Sequence, residues 1–196
     1  MAVARVKSSV WLIVSMHSWQ HKRLNKDEQA SLKALFDAVF SQAESEAEGR
    51  LVGDLAGELA LAIDNQQVWC FATYEAQQLI AAIFLTRLDF NQDIDVYLLG
   101  PVAVATEHQG QGVGQALIRY GLAQLKAQAV ELVITYGDPA FYSKVGFQRL
   151  SEQQLKAPLP LSMPQGWQVV SLTDAPIPSI AKRPTCVKAF DNPAYW

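Results

Sequence analysis

Metal and redox chemistry have little to work with in this sequence. It holds 2 cysteines, Cys70 and Cys186, and 3 histidines, His17, His21 and His108. The cysteines form no CxxC pair and lie far apart, which argues against a disulfide or a thiolate metal site and fits a reducing cytoplasm. His17 and His21 are four apart but lack the glutamate of HExxH, and His108 is remote from both, so no metal-ligand set is in view. Charge of one sign is also scarce: the net charge is −3 and no Lys/Arg cluster occurs, which removes the electrostatic basis for nucleic-acid binding. No apolar run approaches the ~18 residues that would span a bilayer. VWLIV at 10–14 follows Arg5 and Lys7, but it is too short for a signal segment and no small-residue cleavage site follows it. It reads as an extension or a first strand, with Met16 as an alternative start.

What is present is an ordinary globular composition, 50% apolar and 10% aromatic over 196 residues, enough for one compact domain with a sizeable core. Asn25 to Glu28 reads as a helix start, and Leu32, Leu35, Phe36, Val39 and Phe40 recur at spacings of three and four. Glu44 to Glu48 reads as a solvated acidic run, and a second helix carries Leu51, Val52, Leu55, Leu59 and Leu61. VWCFATY (68–74) and LIAAIFLTRLDF (79–90) read as strands joined by a hairpin turn at 75–78. VYLLGPVAV (96–104) is a third strand. It contains Gly100-Pro101, and proline cannot donate to a ladder, so a bulge or a break in pairing is expected there. A helix follows over 112–127, with Val113, Ala116, Leu117 and Tyr120 on one face and Gln115, Arg119 and Lys126 broadly opposite. Val130 to Tyr136 is a continuously apolar strand of the kind buried on both faces. Residues 139–146 form a short helical turn and Phe147 opens another strand. The tail from about 156 is proline-rich, then strand-like (WQVVSL), then loop-like. The order of elements is that of a mixed α/β layer structure.

The most informative stretch is TEHQGQGVGQAL (106–117), with glycine at 110, 112 and 114 directly before a helix. It is not a P-loop, because no Lys-Ser/Thr follows the glycines. Nor is it a dinucleotide fingerprint, since the third glycine of GxGxxG would fall on Gln115 or on Leu117. The remaining pattern, Gln109-x-x-Gly112-x-Gly114 after a bulged strand, resembles the pyrophosphate loop of the GNAT superfamily of acetyl-CoA-dependent N-acetyltransferases. FYSKVGF (141–147) resembles that family's second signature, an aromatic pair, a basic residue and Gly-Phe. GDPAFY and the ending KAFDNPAYW are similar to the YhbS-like subgroup. The likeness covers roughly residues 66–150, and the helices at 25–60 also fit.

The resemblance implies an α/β (α+β) fold: a central mixed, mostly antiparallel sheet with a splayed parallel strand pair, flanked by helices. Residues 19–155 would be the acetyltransferase domain, 1–18 an extension or first strand, and 156–196 a covering segment of the same domain. Acetyl-CoA is the implied co-substrate, with no metal. Its pyrophosphate would lie on Gln109, Gly110, Gln111, Gly112, Val113, Gly114 and Gln115. There the first N–H groups of a helix have no internal partner and sit at its positive end. Its pantetheine arm would run along backbone exposed at Val102, Ala103 and Val104, with Asp138, Phe141 and Tyr142 closing the slot. Tyr142 occupies the family's tyrosine position, and a phenol of pKa ~10 can protonate a departing thiolate. Backbone N–H near Val102 to Val104 could serve the developing oxyanion.

Two departures are plain. GDP stands where many relatives carry Asn, leaving Asp138 for a positioning role. The third strand holds no acid to act as base, so a water relay or an already neutral amine is expected. Glu107 reads as capping or solvating the loop and His108 as an exposed bystander. The acceptor would be an unidentified primary amine on a metabolite, an antibiotic-like molecule or a protein, and Glu44, Glu46, Glu48 and Asp54 could attract its positive charge or simply form a solvated face. Relatives often pair, so a homodimer is within the expectation; nucleic acid and membrane are not. A non-catalytic acyl-CoA sensor stays open as the alternative.

Overall fold

The computed structural model describes residues 18–196; the VWLIV segment, Met16 and His17 lie outside the described residues. The chain runs β1 (Gln20–Arg23), α1 (Gln29–Ala43), α2 (Glu46–Ala62), β2 (Val68–Glu75), β3 (Gln78–Leu88), β4 (Val96–Val104), α3 (Val113–Ala127), β5 (Leu132–Tyr136), α4 (Pro139–Tyr142), β6 (Gln148–Arg149) and β7 (Trp167–Ser171). Among the described residues, one seven-stranded sheet has the order β1-β2-β3-β4-β5-β7-β6. Every pairing is antiparallel except β4 with β5, which is parallel and crosses over through α3.

The period of two along the strands divides the core between the faces of the sheet. Cys70, Ala72, Phe84, Leu98 and Ile134 pack with Leu32, Phe36, Leu55 and Leu59 of the first two helices. Phe71, Ile83, Leu99 and Val133 pack with Leu117, Ile118 and Leu125 of α3. The expected apolar face of α3 is therefore rotated. Val113 and Leu117 belong to it, but Ile118, Leu122 and Leu125 complete it, while Ala116 and Tyr120 sit at its flank.

The first helix begins as a 3₁₀ turn at Lys26–Glu28, and Asn25 makes no side-chain cap bond there. The second begins earlier than the apolar pattern indicated. Ser45 accepts from Glu48 N–H at 3.2 Å, so Glu46 and Glu48 form the first helical turn, while Glu44 and Glu46 stay exposed as expected. Leu61, expected on the buried face, is 55% exposed. The two helices lie close because Gly49 and Gly53 face α1: a Cβ on Gly49 would come within 1.9 Å of Ser41 Oγ, and one on Gly53 within 2.9 Å of Asp37 Cβ.

The tail does more than cover. Its strand β7 enters the sheet between β5 and β6, pairing Trp167 to Ser171 with Tyr136 to Leu132. Its last residues return to the end of β5, where Trp196 stacks on Tyr136 at 6.4 Å and meets Trp167 edge-on at 6.1 Å.

Candidate active site

The site begins where the parallel ladder stops. β4 and β5 pair from Val96↔Leu132 to Leu99↔Thr135, and no pair follows. Beyond it, β4 passes through Gly100 and a cis Gly100-Pro101 bond and keeps its pairing with β3 from Val102↔Ile83 to Val104↔Ala81. The expected irregularity is found there, as a register shift between Ile83 and Leu85 opposite Gly100-Pro101. β5 meanwhile ends at Tyr136, and Asp138 turns the chain into α4 by accepting from Ala140 N–H at 2.8 Å, with Pro139 in the first turn. The two strands thus diverge, and the β5-facing edge of β4 at residues 100–104 lines a gap.

The loop after β4 is tied down by its own side chains. Gln109 Nε2 donates to Val104 O at 2.9 Å and Gln111 Nε2 to Glu107 O at 3.0 Å. Gly112 caps α3 in a left-handed conformation, φ +88°, a region where a Cβ is strained. The first helical bond back to the loop is Ala116 N–H to Gly112 O at 2.9 Å, so the N–H groups of residues 113–115 precede the ladder and point out of the helix end. Gly114 has a different reason to be glycine: a Cβ there would meet Val104 Cγ2 at 3.1 Å and Phe141 Cζ at 3.5 Å. It lets the helix approach the splayed strand.

These pieces enclose a slot of about 490 Å³. It is lined by Val102, Val104, Gln109, Gly110, Gly112, Val113, Gly114, Gln115, Asp138, Phe141 and Tyr142, all expected from the sequence. Ala103 and Gln111 do not line it: Ala103 faces the core with α1 and α2, and the Gln111 side chain is spent on Glu107 O. Three further residues do line it, Val39, His108 and Lys144. Lys144 was legible as the basic residue of the FYSKVGF stretch. His108 is no exposed bystander. Its side chain is 14% exposed, with Nε2 3.2 Å from Glu75 Oε2 and Nδ1 3.7 Å from Glu107 Oε1. The slot fits an extended ligand with a diphosphate end: apolar walls, outward N–H groups at a helix start, Lys144 and His108 nearby, and Asp138 the one carboxylate.

A second cavity, about 620 Å³, lies on the other side of Tyr142. Val102, Asp138 and Tyr142 line both, so the two spaces meet where the strands part. Tyr142 is buried, edge-on to Phe141 at 5.0 Å and to Phe147 at 5.6 Å. Burial pushes its phenol above the ordinary tyrosine range, with a hydrogen bond to Thr135 pulling the other way. Thr135 donates to Leu99 O at 3.0 Å across the last rung of the ladder, at the branch point.

Of the acids expected to face an amine, only Glu48 lines the second cavity. Glu46 pairs with Arg50 at 3.5 Å, Asp54 pairs with Lys33, and Glu44 is exposed away from it. The signal for Glu48 was present in the sequence: Ser45-x-x-Glu48 is a capping pattern that starts a helix and aims its first turn at the strand ends. Among the described residues no group of three or more His, Cys, Asp or Glu could hold a metal, and no helix is long and apolar enough to cross a membrane.

Comparison with known proteins agrees with this geometry. Residues 64–149 match the family model of the acetyltransferase (GNAT) domain. The Escherichia coli K12 protein YjhQ, an uncharacterized N-acetyltransferase, is 32% identical over 112 residues, covering 54% of this chain and 61% of its own. YhbS of the same organism, likewise an uncharacterized N-acetyltransferase, is 32% identical over 104 residues, covering 53% of this chain and 62% of its own. The matches thus span about three fifths of these relatives' length. Among solved structures, E. coli YhbS in complex with CoA superposes with a TM-score of 0.72 at 24% identity, covering 89% of this chain and 92% of its own. A GNAT family acetyltransferase from Brucella melitensis in complex with acetyl-CoA gives a TM-score of 0.69 at 22% identity, covering 89% and 99%. At these identities the structural likeness is one of fold.

Proposed function

We propose that this chain, whose residues 64–149 are a GNAT acetyltransferase domain, is an enzyme that transfers an acetyl group from acetyl-CoA to a primary amine. The observation that carries the reading is the position of Tyr142, a buried phenol shared by a slot suited to a diphosphate-bearing thioester and by a separate cavity for an acceptor. The CoA and acetyl-CoA complexes of the two structural relatives support the choice of co-substrate. Bound acetyl-CoA supplies an activated acyl group; the remaining contributions come from the chain. The N–H groups of Val113, Gly114 and Gln115 bind the pyrophosphate, each charged hydrogen bond contributing about 1.5–3 kcal/mol. The edge of β4 beyond Leu99 receives the pantetheine amides in the manner of an added strand. Tyr142 donates its proton to the departing sulfur, and its raised pKa keeps that proton in place at neutral pH. β4 carries no acid, so the amine proton leaves through water, with Asp138 and Glu48 the carboxylates nearest that path.

The missing acid on β4 also favours a second reading, a non-catalytic acyl-CoA sensor. Titration calorimetry and CoA-thiol release separate the two. The enzyme binds acetyl-CoA and releases CoA with an amine present; the sensor binds and releases none. Failure to bind at millimolar acetyl-CoA would defeat both. Gly112→Glu puts a carboxylate into the slot at a left-handed position, and acetyl-CoA binding should weaken at least about tenfold. Unchanged binding would show that the pyrophosphate lies elsewhere.

A further inference from the structure

The second cavity is built for one kind of acceptor. Its walls are rings and aliphatic chains: Phe40 from α1, Tyr136 from the end of β5, and Phe190, Tyr195 and Trp196 from the tail, with Met163 at the rim. Met163 and Leu61 are the exposed large hydrophobic side chains among the described residues, and Met163 extends the apolar wall toward solvent at 58% exposure. Several polar tips of these rings are already engaged. Tyr136 Oη lies 2.9 Å from Ser162 Oγ and accepts from Met163 N–H at 2.7 Å, and Trp196 Nε1 donates to Phe190 O at 2.9 Å. These side chains give the cavity a largely apolar wall. The charged residues lining it, among the described residues, are Glu48 and Asp138; no Lys, Arg or His does so.

Resting on the acetyltransferase reading above, we infer that the acceptor is a monoamine carried on an apolar, ring-bearing body, drawn in as an ammonium by Glu48. The lining selects against three other classes. A polyamine or an aminoglycoside brings several ammonium groups, and those left over would be desolvated against an apolar wall without partners. A free amino acid brings a carboxylate, for which the cavity has no cation. A lysine side chain of a protein brings a polar backbone to apolar walls.

The test is acetyl-CoA titration followed by kcat/KM for CoA release with 2-phenylethylamine, tryptamine and hexylamine against spermidine, kanamycin, free lysine and a lysine peptide. The ring-bearing monoamines should exceed the second set by at least about tenfold. Glu48→Gln should raise KM for the preferred amine about fivefold, leaving the KM for acetyl-CoA nearly unchanged. Met163→Lys, at an exposed rim position, should also raise KM for the amine while leaving acetyl-CoA binding intact. If acetyl-CoA binds and the multiply charged amines, free lysine or the peptide are used as well or better, the inference fails and the acetyltransferase reading stands. If acetyl-CoA binds and no ring-bearing monoamine is turned over, the inference likewise fails. If acetyl-CoA does not bind, both fail.

Discussion

Tyr142 and Gly114 show how much a single side chain, or its absence, decides here. The Tyr142 phenol is buried where β4 and β5 part, packed edge-on against Phe141 and Phe147. Tyr142→Phe keeps the packing against Phe141 and Phe147 and removes the phenol proposed as proton donor. It should lower kcat by at least about a hundredfold with little change in acetyl-CoA affinity, read from steady-state kinetics and calorimetry. The pH dependence has a definite sign. The folded pKa is raised, so the phenol stays protonated through neutral pH and kcat should fall only above the ordinary tyrosine value of about 10. A kcat that falls between pH 7 and 9 in a Tyr142-dependent way would contradict this assignment. At Gly114 the constraint is contact rather than charge. Gly114→Val should push α3 off Val104 and Phe141, costing about 1–3 kcal/mol in denaturant unfolding and weakening acetyl-CoA binding with it. Most of these residues were legible because the chemistry is local: glycines before a helix, an aromatic pair beside a lysine. The side chains of Ala103 and Gln111 do not line the slot, because a linear motif does not say which way alternate residues of a strand or loop face.

Among the elements, the β2–β3 hairpin and the α1–α2 pair carry the clearest tests. The hairpin turns on Ala76 and Gln77, both left-handed at φ +46° and +69°, the geometry that Asn-Gly fills most readily. Ala76→Asn with Gln77→Gly should stabilise the protein by about 1 kcal/mol, measured as a higher denaturant midpoint. Just ahead of β2, Asp64 Oδ1 accepts from Gln66, Gln67 and Val68 N–H at 2.9, 2.7 and 3.0 Å. Burial pushes this carboxyl up, but the three backbone bonds outweigh it and hold the pKa below the ordinary value. A depressed folded pKa means that its contribution to stability is present above the unfolded pKa, near 4, and is lost as pH falls through the folded one. Asp64→Ala should cost about 1 kcal/mol at pH 7 and flatten that acid limb in pH-dependent unfolding. In the helix pair, Gly49→Ala should destabilise by about 1–3 kcal/mol although alanine is the better helix former, because its methyl would strike Ser41 and Asp37. The row Gly49, Gly53, Gly57 was visible in the sequence as a four-residue spacing, and reads naturally as a close helix crossing only once α1 lies against it.

For the whole molecule, the tail is the part that closes the second cavity. Trp196 is buried against Tyr136, Trp167 and Phe190, and it walls the second cavity. Trp196→Ala should cost about 3–5 kcal/mol and open that cavity, lowering the thermal midpoint and raising KM for the amine more than KM for acetyl-CoA. Ligand at a hundred times its Kd should in turn stabilise the wild-type protein by about 2.7 kcal/mol, a check on the slot that needs no acceptor.

The sequence by itself determined the strands from Val68 to Val104, the break at Gly100-Pro101, the glycine loop into α3 and the short helical turn that carries Tyr142. Each depends on neighbours within a few residues, where periodicity, proline and glycine act directly on the backbone. Only the tertiary structure decided that β7 enters between β5 and β6, that α2 starts at Glu46 with Glu48 in the cavity, and that Trp196 meets Tyr136 across the chain. Those outcomes rest on burial of apolar area between segments far apart in sequence, and hydrophobic burial is non-directional: it rewards contact without naming the partner.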